Sequence, residues 1–257
     1  MSCEDVGGRP TSEWLELATE ATECGADVLR SARSKGRAVE WDDGRDIKIA
    51  GDSLADTEIL RVLQGKSPFP ILTEESGFLD SKDSTEGFRW LVDPLDGSFN
   101  YSRQIPLYCL SIALFHDDEP VLGVVNDIEH NEVFSGIVGA GAWLNGVPMH
   151  TSRVLKKDRA ALCTGFPIGM TFSQEELTGL VNHMIEFKKT RLFGSAALSL
   201  AYVASGRVDA YTEKGIKLWD VAAGVALVHA AGGSVSISAN DGSHARVVTA
   251  TNGRLCL

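Results

Sequence analysis

The chain has 257 residues, 24 Lys and Arg against 35 Asp and Glu, a net charge of −11 and 44% hydrophobic residues. That length buries a core as one large domain or two packed subdomains, and the acidic balance argues against a nucleic-acid binder, which needs a basic footprint. No stretch approaches the roughly 18 apolar residues of a membrane span, and the polar start MSCEDVGGRP lacks the regions of a signal peptide. The scattered, odd-numbered cysteines (Cys3, Cys24, Cys109, Cys163, Cys256) form neither a disulfide framework nor a zinc motif, so a reducing cytoplasm is expected.

Residues 11–33 read as an amphipathic helix, with Trp14, Leu17, Ala21, Val28 and Leu29 at helical spacing behind Thr11 or Ser12. A second helix is expected from near Asp52, with Ala55, Ile59, Leu60 and Leu63 inward and Asp52 placed as its N-cap. Short strands are expected at 70–73, 88–92, 108–115, 121–126 and 132–138, followed by a turn-rich hairpin at 139–146. This middle stretch predicts a largely antiparallel sheet. After about residue 151, strands at 159–164, 190–193 and 208–211 alternate with helices at 173–188, from Gly194 and Ser195 to about 206, and at 220–231. The pattern suggests an N-terminal α+β subdomain (1–150) and a C-terminal α/β subdomain (151–257).

The chemistry concentrates where the apolar run Trp90 to Val92 meets Asp93-Pro94-Leu95-Asp96-Gly97-Ser98. Pro94 is expected to end the strand, since it offers no donor. Asp93 and Asp96 across a tight turn can point two carboxylates into one space while Leu95 offers its carbonyl, an oxygen set suited to Mg2+. The N–H groups of Gly97 and Ser98 at a short helix start suit an anion. The segment also reads as a turn with two solvated aspartates, but like-charge repulsion between close carboxylates at a buried strand end favours a cation. Glu74 follows another apolar strand, and Asp220 opens an apolar helix; alone, these read as a solvated strand end and an N-cap.

Together these segments resemble the inositol monophosphatase family. Members pair an EES segment with D-P-[IL]-D-G-[TS]-x-N-[FY], then G-[ST]-A-A-L and W-D-x-A-A-G. Here these are Glu74 to Ser76, Asp93 to Tyr101, Gly194 to Leu198 and Trp219 to Gly224, in the same order. The resemblance spans nearly the whole chain. It implies a layered α/β sandwich of alternating helix and sheet layers, and a homodimer. It further implies two or three Mg2+ ions: Glu74, Asp93 and the Leu95 carbonyl on one; Asp93, Asp96 and Asp220 on a second; Asp52 with Glu74 on a third and its water. Ser98 takes the place of a threonine near the attacking water, and Gly97 and Ser98 would bind the phosphate. Asp96, Ser195, Ala196, Glu213 and Asp220 fall where the family contacts substrate. Metal ions held by acidic ligands would also turn an acidic protein's pocket cationic for a phosphate.

The chain departs from the family at Ile47-Lys48-Ile49, where many members carry Pro-Val-Thr, and near Trp41, where a lysine is common. The C-terminal helix of many members is expected to be short or absent. Phe99-Asn100-Tyr101 and Glu213 resemble the inositol- and sugar-phosphatase branch rather than the nucleotide 3′-phosphatases. The implied reaction is hydrolysis of inositol monophosphate or a similar small polyol phosphate by a metal-activated water, with no nucleic-acid or membrane partner. Fructose 1,6-bisphosphate, histidinol phosphate and 3′-phosphonucleotides are the alternative substrates. A non-catalytic regulator that binds RNA polymerase is the alternative of a different class. Retention of all five carboxylates, Asp52, Glu74, Asp93, Asp96 and Asp220, favours the enzyme.

Overall fold

Strands with apolar residues on both faces need cover on both sides, and that requirement organises the molecule. A computed structural model describes residues 5–33, 39–43, 46–81, 87–166, 170–238 and 245–257. Side chains at 33 and 39–50 lie outside that description, and with them the expectations for Trp41 and Lys48. In chain order the elements are β1 (Asp5–Val6), β2 (Arg9–Pro10), α1 (Thr11–Arg33), β3 (Val39–Asp43), β4 (Asp46–Ile49), α2 (Ala50–Lys66), β5 (Ile71–Thr73), β6 (Gly77–Leu79), β7 (Phe88–Asp96) and α3 (Ser98–Arg103). Next come β8 (Cys109–His116), β9 (Glu119–Asp127), β10 (Glu132–Ile137), β11 (Gly141–Leu144), β12 (Val147–Met149), a 3-10 turn (Lys157–Arg159), β13 (Ala161–Thr164) and α4 (Gln174–Ile185). The chain continues with β14 (Lys189–Arg191), α5 (Ala196–Ala204), β15 (Ala210–Lys217), α6 (Leu218–Ala230), β16 (Ser234–Ile237) and β17 (Ala245–Thr251).

An eight-stranded sheet has the order β12-β11-β10-β9-β8-β7-β5-β6, antiparallel except where β5 lies parallel to β7. A five-stranded sheet has the order β14-β13-β15-β17-β16 and mixes parallel and antiparallel pairs. Trp90, Val92, Leu110, Ile112, Leu114 and Val124 point into one core with α1 and α2. The alternate residues Leu91, Cys109, Ala113, Phe115 and Val125 point into a second core with α5, α6 and the five-stranded sheet. Helices and sheets therefore alternate in layers, as expected.

Burial of α5 and α6 between two sheets explains their composition. From Val221 to Val228 every α6 residue is buried, and small side chains let the helix sit close to the sheet. At Gly123 of β9, an added Cβ would stand 2.4 Å from the Ala223 carbonyl oxygen. That close approach brings the N-terminal turn of α6, with Asp220, up to the end of β7.

Several expectations shift. The helix α2 starts at Ala50, so Asp52 is its third residue rather than its N-cap. β7 does not end at Pro94 but runs to Asp96 through a break in its register with β8. β16 and β17 had no counterpart in the sequence reading, although Ser234-Val235-Ser236-Ile237 alternates as a short edge strand does. No helix follows β17 among the described residues.

Because Gly123 faces helix backbone rather than a movable side chain, Gly123→Ala should cost about 1–3 kcal/mol through overpacking. A urea titration should show a lower midpoint at an unchanged slope; an unchanged midpoint would mean α6 is free to back away.

Candidate active site

Glu74 is placed by strand register. β5 and β7 run parallel with Thr73 beside Val92, and the Glu74 N–H donates to the Val92 carbonyl at 3.2 Å. Glu74 therefore follows the last β5 residue at the level of Asp93. Asp93 is buried on β7, and its Oδ1 accepts the Leu95 N–H at 3.0 Å. Its neighbour across the sheet, Ser111, buries a hydroxyl with no hydrogen-bond partner among the described residues.

The β7 break then inverts side-chain parity. Asp93 pairs with Ser111 and Asp96 with Cys109, so three steps on β7 match two on β8. Residues three apart on a regular strand face opposite ways. Here the extra residue turns Leu95 into the α1–α2 core and Asp96 towards α5. Pro94, without an N–H, is tolerated at such an irregularity.

Asp96 is held by the start of α5. Its Oδ2 accepts the Ser195 hydroxyl at 2.6 Å and the Ala197 N–H at 2.6 Å, while Ser195 Oγ caps α5 by accepting the Leu198 N–H at 3.2 Å. Ala196 is the buried first residue of that helix. Asp220 sits in the first turn of α6, and its Oδ2 accepts the Lys217 N–H at 3.3 Å. The positive end of the helix dipole favours a carboxylate there.

Carboxylate oxygens of Glu74, Asp93 and Asp220 come within 4.8 Å of one another. Burial first, then the charges of Glu74, Asp96 and Asp220, push the Asp93 carboxyl well above its ordinary range. Burial, Glu74 and Asp96 do the same to Asp220. Burial raises Asp96 to about 6 against the lowering effect of its hydrogen bonds to Ser195 and the α5 backbone. Oxygen ligands around Mg2+ stand roughly 3–4 Å apart, so this all-oxygen triad fits a hard divalent cation with little adjustment, and the cation would remove the repulsion.

The remaining predicted residues lie outside this triad. Gly97 has φ of 94°, a left-handed conformation, and a Cβ there would lie 2.9 Å from the Leu107 carbonyl oxygen; glycine is required on both counts. Ser98 opens α3 and donates its hydroxyl to the Leu95 carbonyl at 2.9 Å, which leaves that oxygen a second lone pair. Glu213 lies on β15, accepts the Tyr211 hydroxyl at 2.9 Å and is raised by burial to about 7. It lines a cavity of about 510 Å³ together with Gly165, Leu180, His183 and Lys214. Asp52 is buried in the first turn of α2 and lies outside the triad.

Three contributors had no structural role in the sequence reading. Asp56 lies one turn after Asp52 on the same buried face, a polar interruption that helical spacing would have exposed. Asn100 ties the loop after β7 to the segment before α5, donating to the carbonyls of Leu107 and Phe193 at 2.7 Å each. Ser111 gave no signal in an apolar strand.

Comparison with known proteins places this architecture. The sequence pattern of the inositol monophosphatase family matches residues 11–255. This chain belongs to that family. It is 37% identical to an inositol-1-monophosphatase of Synechocystis, over 94% of this chain and 85% of that protein. It is 39% identical to the Nus factor SuhB of Escherichia coli, over 86% of this chain and 84% of that protein. Among solved structures, an inositol monophosphatase from Anabaena superposes with a TM-score of 0.80 at 35% identity, covering 95% of this chain and 92% of the other. The suppressor protein suhB of Bartonella henselae gives 0.85 at 30% identity, covering 94% and 95%.

Acids whose folded pKa is raised stabilise the fold below their unfolded pKa and cease to do so as pH climbs through the folded value. Metal-free protein should therefore lose stability from this cluster as pH rises from about 4 through the value near 6 for Asp96 and beyond it for Asp93 and Asp220. Asp93→Asn, which keeps the acceptor for Leu95, should raise the metal-free melting temperature at pH 7.5 by a few degrees, at about 2–4 °C per kcal/mol, with no gain near pH 4. A fall at pH 7.5 would contradict the repulsion.

Proposed function

We propose that this protein is a Mg2+-dependent phosphomonoesterase that hydrolyses inositol monophosphate or a similar small polyol phosphate. The observation that carries the reading is the triad of Glu74, Asp93 and Asp220 oxygens beside the clamped Asp96. In this reading Glu74, Asp93 and the Leu95 carbonyl hold one Mg2+, and Asp93, Asp96 and Asp220 hold a second. Asp52 with Glu74 would take a third. Bound Mg2+ would neutralise phosphate charge and lower the pKa of a water nucleophile.

The chain's own groups supply the rest. The Gly97 and Ser98 N–H groups, at a left-handed turn into α3, would donate to the phosphate oxygens. The Ser98 hydroxyl and Glu74 orient the attacking water, and Glu74 accepts its proton. Ser195, Ala196 and Glu213 meet the hydroxyls of the leaving group. Ionised Glu213 would accept from a hydroxyl and repel a second phosphate, which supports a neutral polyol.

A homodimer in the cytoplasm belongs to the same reading. It is supported by the family resemblance and by the free thiols of Cys24, Cys109, Cys163 and Cys256. No helix of the described residues is long and apolar enough to cross a membrane. A second reading, a regulatory role with RNA polymerase, is favoured by relatives named Nus factor SuhB that are as similar as those named inositol-1-monophosphatase. The complete carboxylate set supports catalysis as the primary activity.

Phosphate release should be strongest, and Mg2+-dependent, with one small polyol monophosphate from a panel of inositol 1-phosphate, hexose and pentose phosphates, fructose 1,6-bisphosphate, histidinol phosphate and a 3′-phosphonucleotide. Preference for the nucleotide would overturn the assignment of Glu213. Asp93→Asn should lower kcat/KM at least about 10³-fold, the size of several kcal/mol of lost metal-assisted stabilisation. Unchanged turnover would sink the mechanism. Glu213→Gln should raise KM for the polyol substrate more than it lowers kcat; a pure kcat loss would assign Glu213 to the chemical step.

A further inference from the structure

Asp56 makes contacts that no role above uses. It is buried one helical turn beyond Asp52, on the face of α2 that also carries Ala55, Ile59 and Leu63. Its Oδ1 accepts the hydroxyl of buried Thr73, and its Oδ2 accepts the hydroxyl of Ser76 at 2.5 Å. Thr73 and Ser76 bracket Glu74 and Glu75. One carboxylate therefore grips both ends of the turn on which Glu74 stands.

Hydrogen bonds to an ionised acceptor are roughly twice as strong as neutral ones. Two of them on one carboxylate fix direction as well as distance. Besides them the turn is tied to the sheet by the pairing of β5 with β7 and with β6, Thr73 opposite Gly77, and by the Glu74 N–H bond to Val92; none of these contacts reaches α2. With them, the Glu74 turn and the helix that carries Asp52 share one reference point.

We propose that Asp56 is a positioning residue: through Thr73 and Ser76 it sets Glu74 in the carboxylate triad and thereby tunes cation affinity. The inference rests on the proposed role of Glu74 as a metal-holding group. Removal of hydrogen-bond partners behind metal ligands weakens binding by about 10–100-fold, and that range is the effect expected here.

The test is calorimetric titration of Mg2+ into the chelator-stripped 257-residue chain, with melting temperature measured alongside. Asp56→Ala should weaken Mg2+ binding about 10–100-fold. In a Glu74→Gln background the same substitution should add little, because the clamp acts through Glu74; the cycle measures that coupling. Should Asp56→Ala fail to fold, the double variant Thr73→Val with Ser76→Ala removes the same two hydrogen bonds and should reproduce the loss. Wild-type affinity in folded Asp56→Ala, or in the double variant, overturns the inference while leaving Glu74 as a ligand. An equal loss with and without Glu74→Gln overturns it too, since the effect would then reach the site through the fold at large. Wild-type affinity in Glu74→Gln alone overturns the underlying reading instead.

Discussion

Two carboxylates three residues apart on a regular strand point to opposite faces, and no packing of neighbours changes that. The site depends on breaking this rule once. At Pro94 and Leu95 the strand β7 gains a residue against β8, and every side chain after it changes face. Leu95 then fills the core that Trp90 and Val92 also fill, while Asp96 joins Asp93 on the side of α5 and α6. A single missing N–H and a single extra residue thus convert a core strand into a carrier of two converging acids. The left-handed Gly97 that follows turns the chain directly into α3.

The second constraint is electrostatic. Burial and mutual repulsion work in the same direction on Asp93 and Asp220, and each is pushed towards its neutral form. Such an arrangement destabilises the fold on its own, and the surrounding structure offsets the cost. Asp96 is restrained by Ser195 and the α5 backbone, Asp220 by the Lys217 N–H and the α6 dipole, and the Glu74 turn by Asp56. These supports come from both sides of the eight-stranded sheet, α2 on one and α5 with α6 on the other. The layered architecture is what allows helices on opposite faces to hold acids at one strand end.

Much of this was legible in the sequence because it was written in short-range patterns. The span of α1 and the strands from 88 to 138 follow from periodicity, and α5 and α6 from small-residue runs bounded by Gly and Ser. The convergence of Glu74, Asp93 and Asp220 was reachable only through the resemblance to a family, since nothing in local spacing brings position 74 to position 220. What remained illegible was three-dimensional in origin. Pro94 reads as a stop because a donor is missing, and only the pairing with β8 reveals a bulge instead. Asp52 reads as a cap because caps and buried acids share residue types; α2 begins earlier, at Ala50. Helical spacing places Asp56 on the buried face of α2 with Ala55, Ile59 and Leu63, but its partners Thr73 and Ser76 lie 17 and 20 residues away and only the fold reveals them.

Under the proposed function, Glu213 would carry the same logic into substrate choice. Burial places its carboxyl near pH 7, so the charged and neutral forms coexist at neutral pH. A polyol hydroxyl satisfies either form, as donor to the carboxylate or acceptor from the acid. A second phosphate on the leaving group satisfies only the neutral form and must hold it protonated at a free-energy cost. The Tyr211 hydroxyl, which donates to Glu213, stabilises the charged form and steepens that preference. In that reading, discrimination between a polyol monophosphate and a bisphosphate would sharpen as pH rises, through the charge on one side chain.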